Sequence, residues 1–366
     1  MPDYCNGRIP DAVTFFRYRS SGGPHMPHRM MQVGLGDFGR RWLRIVNTHD
    51  EWQYAALATR NESVRSECGS EVGTGPEALF STINDAVAVG IDADAALVTT
   101  PHFRHRADVS VLLESRKHVL VEKPLAGTWE DCLAIRDAAR AAEGKLMVGE
   151  NYRFGEGART AHELVRSGAI GTPELLSLDY FVGHTFPDGD WRNEYIYPLL
   201  IENATHQFDL VRYVTGTEPE SVYCNAFPSA RTPHWARPSV AAQFTMSNGF
   251  HFQFSASWSY SEMQTPWEGV WRLYGSDRAL SWTQDRIETH NGSKTEVIEV
   301  PSKPSDHTLA ATLTVFTRAL NEARTPVPDI EDNVRTVAVV FGALRSSETG
   351  LPVSIVDMLE ETSSAL

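Results

Sequence analysis

The chain has 366 residues, 42% hydrophobic and 22% charged, with a formal net charge of −14. That length predicts two domains with a core that needs no staples, and the negative charge excludes general binding to nucleic acid or to an anionic membrane. Cys5, Cys68, Cys132 and Cys224 are scattered, form no metal-ligand pair, and read as free thiols of a reducing, cytoplasmic compartment, with no metal site predicted. No apolar run reaches the length of a membrane span, and the longest, 337–344, is bounded by Arg335 and Arg345.

Residues 1–29 are punctuated by Pro2, Pro10, Pro24, Pro27 and the run Ser20-Ser21-Gly22-Gly23. They lack the apolar region and small-residue cleavage site of a secretory signal and read as a disordered tail, with Met30 or Met31 as a natural start. The next stretch, 31–46 (MQVGLGDFGRRWLRIV), organises the rest. An apolar strand at 31–33 is followed by Gly34, Gly36 and Gly39 in the spacing Gly-x-Gly-x-x-Gly, then by Trp42, Ile45 and Val46 at helical spacing. Strand, glycine turn and helix are the arrangement that a dinucleotide pyrophosphate needs. Gly34 allows the tight turn, Gly36 lets backbone approach the phosphates, Gly39 lets the helix pack on the strand, and the helix N-terminus offers free N–H groups. A second strand, 54–58, ends in Thr59-Arg60-Asn61, where an NAD-binding fold carries an acid for the ribose hydroxyls. A guanidinium and a hydroxyl suit a 2′-phosphate instead, so the cofactor predicted is NADP, with NAD as the alternative.

A third strand at 95–98 ends in Thr99-Thr100-Pro101, a helix follows at 108–115, and a strand at 118–121 runs into Glu122-Lys123-Pro124. Lys123 falls at the carboxyl end of a parallel strand, where open α/β sheets hold their ligands. There it can bond a substrate hydroxyl and help carry its proton, and Pro124 restricts it to an extended backbone. A helix at 128–143 starts at Thr128, with Asp131 in the capping-box position, and ends at Gly144. A strand at 145–149 completes a series of alternating strands and helices, which predicts a doubly wound parallel sheet over 30–150.

The pattern then changes. A helix at 158–167 is closed by Gly168, and strands dominate from Glu174 onward. The stretch 250–260 alternates strictly, with Phe250, Phe252, Phe254, Ala256, Trp258 and Tyr260 on one face and His251, Gln253, Ser255, Ser257 and Ser259 on a wet one. Asn248-Gly249 predicts a hairpin pairing it with 240–246. Further strands at 269–274, 279–282 and 295–300 make 151–366 an α+β domain on a large, mostly antiparallel open sheet. Residues 198–216 read as one helix, with proline near its start and glycine past its end. On it Glu202 and His206 are i and i+4 and share a face, with Asp209 one turn on. A histidine held by a carboxylate is the form a general base takes. Trp191, Tyr195 and Trp235 are candidates to stack on a sugar ring, and Asp190 and Arg192 to bond its hydroxyls. Tyr152 and Arg153 complete the predicted substrate set.

Taken in order, several motifs resemble those of the glucose–fructose oxidoreductase / inositol 2-dehydrogenase family, over about 31–353. They are Gly34-Leu35-Gly36-Asp37-Phe38-Gly39, Thr100-Pro101-His102-Phe103-Arg104-His105, Glu122-Lys123-Pro124, Ser167-Gly168-Ala169-Ile170-Gly171, Tyr274-Gly275-Ser276 and the turn at 347–353. This chain departs from the family pattern at three positions: His102 replaces an Asn, Glu202 the Asp of an Asp-x-x-x-His motif, and Ala204 a Gly. The resemblance implies a Rossmann domain with Gly34, Leu35, Gly36, Asp37, Phe38, Gly39, Thr59, Arg60, Thr100, Pro101, His105, Glu122 and Lys123 around the cofactor. It implies that Lys123 touches both the nicotinamide ribose and the substrate, and that His206, with Glu202, is the acid/base. The reaction implied interconverts a secondary alcohol and a ketone on a sugar, inositol or similar cyclic polyol. A homo-oligomer, dimer or tetramer, joined through the open sheets is implied too, and the wet face of 250–260 is its candidate surface. Two other classes stay open at this point: a nucleotide-retaining glycoside hydrolase of the same fold, and a non-catalytic NAD(P)-binding sensor or accessory protein.

Overall fold

The computed structural model describes residues 26–184, 186, 188–301 and 306–362. Most of the segment read as a tail, 1–25, lies outside the described residues, as do Thr185 and Pro187, just ahead of the sugar-stacking candidate Trp191. The first strand opens inside that segment, at His28.

The first half is a six-stranded parallel sheet of β1 (His28–Val33), β2 (Trp52–Ala58), β3 (Leu79–Phe80), β4 (Ala95–Val98), β5 (His118–Val121) and β6 (Leu146–Val148), in the order β3-β2-β1-β4-β5-β6. Its helices are α1 (Asp37–Asn47), α2 (Glu62–Val72), α3 (Ile83–Ala88), α4 (His102–Glu114) and α5 (Trp129–Ala141). All four residues of β4 are buried, as a strand covered on both faces must be. The strand order reverses between β1 and β4, and that switch point opens a crevice beyond the carboxyl ends of the strands.

Local signals account for some boundaries and not others. Thr128 caps α5 by accepting from the Asp131 N–H, but the helix ends at Ala142 in an extended conformation. Gly144 serves a different need: a Cβ there would lie 2.1 Å from the Lys117 carbonyl oxygen. α4 begins directly after Pro101, six residues ahead of the expected start at 108. α2 buries only Cys68 and Gly69, so it lacks the apolar stripe that would have announced it.

The second half is a nine-stranded sheet in the order β14-β13-β12-β11-β7-β10-β9-β8-β15. Its strands are β7 (Pro173–Phe181), β8 (Pro219–Phe227), β9 (Ser239–Met246), β10 (His251–Ser257), β11 (Val270–Gly275), β12 (Ala279–Thr283), β13 (Arg286–Asn291), β14 (Lys294–Glu299) and β15 (Val353–Ser354). Every pairing is antiparallel except β7 with β10. The β9–β10 hairpin turns through Asn248 and Gly249 at φ 69° and 75°, the two left-handed residues such a turn requires. Phe244, Phe252 and Phe254 face inward, with Phe208 5.3 Å from Phe254 and Phe244 4.7 Å from Phe252 between ring centres. His251, Gln253 and Ser255 are exposed on the other face. The alternation stops at Ser257, which is buried and bonded to Ser239.

The stretch 198–216 is two helices rather than one. α7 (Pro198–Glu202) and α8 (Ala204–Thr215) are divided at Asn203, whose φ −128° and ψ −34° leave the helical region. α8, with α6 (Glu156–Arg166) and α10 (Ile330–Thr349), packs on the inner face of the sheet. α9 (Asp306–Asn321) instead returns to the parallel sheet, where Thr317 Oγ1 accepts from Trp52 Nε1 (2.7 Å) and Phe316 stacks on the Trp52 ring.

Candidate active site

A cleft of 960 Å³ lies over the carboxyl ends of β1, β2, β4 and β5, and the glycine turn forms one of its walls. Each glycine has its own constraint. Gly34 has φ +93°, and a Cβ on it would sit 2.5 Å from the Thr99 carbonyl carbon. A Cβ on Gly39 would sit 2.2 Å from the Gly34 oxygen, so helix and turn touch directly. Gly36 has nothing within 4 Å of that position. It is also the N-cap of α1 and supplies no capping side chain, so the first N–H groups of the helix have no intrahelical partner and open toward the cleft. A pyrophosphate fits that opening.

The other predicted cofactor residues divide into those on the cleft and those behind it. Asp37, Phe38, Thr59, Arg60, Thr100, Pro101, Glu122 and Lys123 line it. Leu35 lines it with backbone, because its side chain is buried in a cluster with Leu43, Leu57 and Cys68. His105 is buried behind it, with Nε2 2.7 Å from the Thr100 carbonyl and Nδ1 3.1 Å from that of Pro124. It ties the Thr100-Pro101 turn to the Lys123-Pro124 turn. Glu122 does the same for α1: its carboxyl accepts from Trp42 Nε1 (2.6 Å) and from the Lys123 N–H (3.0 Å). Burial pushes that carboxyl up to about 7.

The expected pairing of Glu202 with His206 is not formed. An i, i+4 pair needs a continuous helix, and the break at Asn203 turns the two side chains apart. The carboxylate on His206 is Glu150, with Oε2 2.8 Å from Nδ1 and both side chains buried. Thr205 Oγ1 donates to the other Glu150 oxygen at 2.6 Å, and the Tyr152 ring lies flat on the imidazole at 3.9 Å. Burial alone would raise the Glu150 carboxyl, but His206 and Lys123 hold it below its usual value. Burial pushes His206 below the ordinary histidine value; Glu150 opposes this and Lys123 adds to it. With Glu150 on the Nδ1 side, Nε2 is the ring nitrogen left to accept a proton. The same positional rule that singles out Lys123 applies to Glu150, two residues past the end of β6.

Lys123 Nζ donates to the Glu202 carbonyl at 2.9 Å. The Glu202 carboxylate faces His102, with Oε1 3.2 Å from Nε2, and Trp191 stands edge-on to the His102 ring at the mouth of the cleft. Asp190 and Arg192 are bonded to each other at 2.7 Å. Trp235 is 36% exposed and does not line the cleft. Arg153, read as a substrate contact, is turned into the core, where it pairs with Asp209 and, at 2.8 Å, with Asp332. Arg153→Met would leave the buried Asp209 carboxylate without its cation, while Asp332 keeps Arg212 at 3.1 Å. It should cost about 3–5 kcal/mol of stability in urea unfolding, and an unchanged unfolding midpoint would show that the network carries no weight.

An open glycine turn at the switch point of a parallel sheet, sharing one cleft with Lys123, defines an NAD(P)-binding oxidoreductase. Residues 29–150 match the model of an oxidoreductase family with an NAD-binding Rossmann fold, and residues 158–281 match the GFO/IDH/MocA C-terminal domain. The chain belongs to the GFO/IDH/MocA oxidoreductase family. It is 24% identical over 335 residues to the 1,5-anhydro-D-fructose reductase of Ensifer adhaerens, a match that covers 88% of this chain and 97% of the relative. Among solved structures, an oxidoreductase from Agrobacterium radiobacter in complex with NAD+, L-tartaric acid and magnesium superposes with a TM-score of 0.84 at 19% identity, covering 91% of this chain and 100% of that one. The aldose–aldose oxidoreductase of Caulobacter crescentus, complexed with glycerol, gives 0.79 at 22% identity, with coverage of 90% and 99%.

Proposed function

We propose that this protein is an NADP(H)-dependent oxidoreductase that interconverts a secondary hydroxyl and a ketone on a sugar, inositol or similar cyclic polyol. The observation that carries the reading is the buried, Glu150-held His206, whose ring feels the charge of Lys123, the lysine that lines the dinucleotide-sized cleft. The names of the reductase and of the aldose enzyme among its likenesses support a sugar-type substrate. When bound, the nicotinamide accepts or returns the hydride. The chain's own residues do the rest. The turn from Gly34 to Gly39 and the α1 N-terminus hold the pyrophosphate. His206 Nε2 takes the hydroxyl proton, the Lys123 ammonium stabilises charge developing on the oxygen, and Glu150 stabilises the imidazolium that forms. Trp191 is an apolar wall of the cleft, Tyr152 covers the His206 ring, and Glu202 is a hydroxyl acceptor. A panel of sugars and polyols, followed by absorbance of the reduced nicotinamide, should show turnover; none on any member would overturn the substrate class.

The choice of NADP rests on the end of β2. Thr59 and Arg60 line the cleft there. Asp108, an acid on this side, is already bonded to Thr100 (2.8 Å) and paired with Arg104 (3.5 Å). A charge-assisted contact to phosphate contributes about 1.5–3 kcal/mol, so Arg60→Ala should weaken NADP(H) binding roughly tenfold or more and leave NAD(H) nearly unchanged. Equal losses for both nucleotides in calorimetry would sink the assignment.

A homo-oligomer, dimer or tetramer, is the proposed assembly. On the outer face of the second sheet Leu175 (36% exposed) and Tyr274 (46% exposed) sit opposite each other on β7 and β11, beside His251 on β10. Light scattering should give a multiple of the chain mass, and Leu175→Glu with Tyr274→Glu should release monomer; a monomeric wild type overturns this. A cytoplasmic location is proposed because Cys68, Cys132 and Cys224 are buried free thiols. No helix among the described residues is long and apolar enough to cross a membrane.

A further inference from the structure

His102 and Glu202, far apart in the sequence, meet across the cleft. His102 opens α4 on the parallel sheet, and Glu202 ends α7 on the other side. Nε2 of His102 stands 3.2 Å from Glu202 Oε1, and the Tyr195 hydroxyl hydrogen-bonds the same nitrogen. The Tyr195 and His102 rings stack at 5.5 Å, with Trp191 edge-on to both. The other ring nitrogen, Nδ1, is buried against Gly127, where a Cβ would lie 2.8 Å from it, and it has no hydrogen-bond partner among the described residues. Nδ1 has no acceptor among the described residues, whereas Nε2 faces a carboxylate and a phenol oxygen, so Nε2 is the nitrogen placed to donate.

Glu202 is thus held from two sides. Lys123 Nζ binds its backbone carbonyl at 2.9 Å, and His102 Nε2 faces Oε1 at ion-pair distance, 3.2 Å, an atom that is buried and makes no hydrogen bond among the described residues. Oε2 is left for the cleft that Glu202 lines. We propose that His102, together with Tyr195, is a positioning residue for Glu202, holding its carboxylate beside Lys123 to accept a second substrate hydroxyl next to the one that reacts. Burial would raise the Glu202 carboxyl, but His102 and then Lys123 keep it below its usual value, so it accepts rather than donates. The proposal rests on the polyol reading given under Proposed function.

The test compares wild type with His102→Ala, His102→Gln, Tyr195→Phe and Glu202→Gln, using a turned-over cyclic polyol and its analogue lacking the neighbouring hydroxyl. His102→Ala and Glu202→Gln should each raise KM for the polyol about tenfold, the weight of one charge-assisted hydrogen bond, with a smaller fall in kcat. Neither should change KM for the deoxy analogue, and Tyr195→Phe should raise KM for the polyol by less. The double variant should be no worse than Glu202→Gln alone, because His102 acts through Glu202. His102→Gln, which keeps an N–H donor, should recover most of the loss. Additive losses, or an unchanged KM in His102→Ala, overturn the proposal. Crystal structures of wild type and His102→Ala decide the point without substrate: the Glu202 carboxylate should swing away in the variant, and a carboxylate that stays in place overturns the positioning role. A wild type that turns over no sugar or polyol overturns the substrate reading instead, and the crystallographic comparison still decides what His102 does.

Discussion

His206→Ala should lower turnover by about 10²–10⁴-fold, the usual contribution of general acid–base catalysis, while nucleotide binding changes little. The separation follows from geometry. The glycine turn and Arg60 line the cleft where the proposed dinucleotide would lie, whereas His206 is paired with Glu150 and covered by Tyr152. In the direction of alcohol oxidation, the rate should also fall as pH drops through the His206 titration, since a protonated ring cannot accept a proton. Burial keeps that titration below the ordinary 6.5, so the rate should be level near neutrality and fall only on the acid side. Glu150→Gln removes the group that raises the ring's affinity for a proton. Its acid limb should move to still lower pH, and its turnover at neutral pH should drop, because the base is weaker and the imidazolium has lost its counter-charge. A His206→Ala variant with wild-type rate and pH profile would assign the proton to Lys123 or to another group.

Gly36→Val should abolish nucleotide binding in a protein that still folds. Three glycines of one motif give three different expectations. A side chain at Gly34 meets the Thr99 backbone in a left-handed conformation, and one at Gly39 meets the Gly34 carbonyl at 2.2 Å, so both substitutions should damage the fold itself. At Gly36 an added Cβ meets no other part of the protein within 4 Å. The added atoms fill the space in front of the α1 N–H groups, where the pyrophosphate would lie. Circular dichroism and thermal unfolding should match wild type, and calorimetry with NADP(H) or NAD(H) should show no binding. A folded variant that binds nucleotide normally would place the phosphates elsewhere.

Short-range physics made much of this protein legible from its residues. The glycine turn, the strand that ends at Lys123, the Asn248-Gly249 hairpin and the inward phenylalanines of β10 depend on backbone freedom and on periodicities of two or 3.6 residues, and neighbouring residues carry both. The order of the motifs carried the family. Long-range choices were not legible in that way. Whether 198–216 runs as one helix was decided at Asn203, and with it which carboxylate reaches His206. Glu150 reaches that ring because β6 ends the parallel sheet beside α8, a juxtaposition set by strand order and not by spacing along the chain. Glu202 met His102, and Arg153 met Asp209 and Asp332, for the same reason. A buried charge takes whichever opposite charge the packing brings within about 4 Å, and only the tertiary structure determines which one that is.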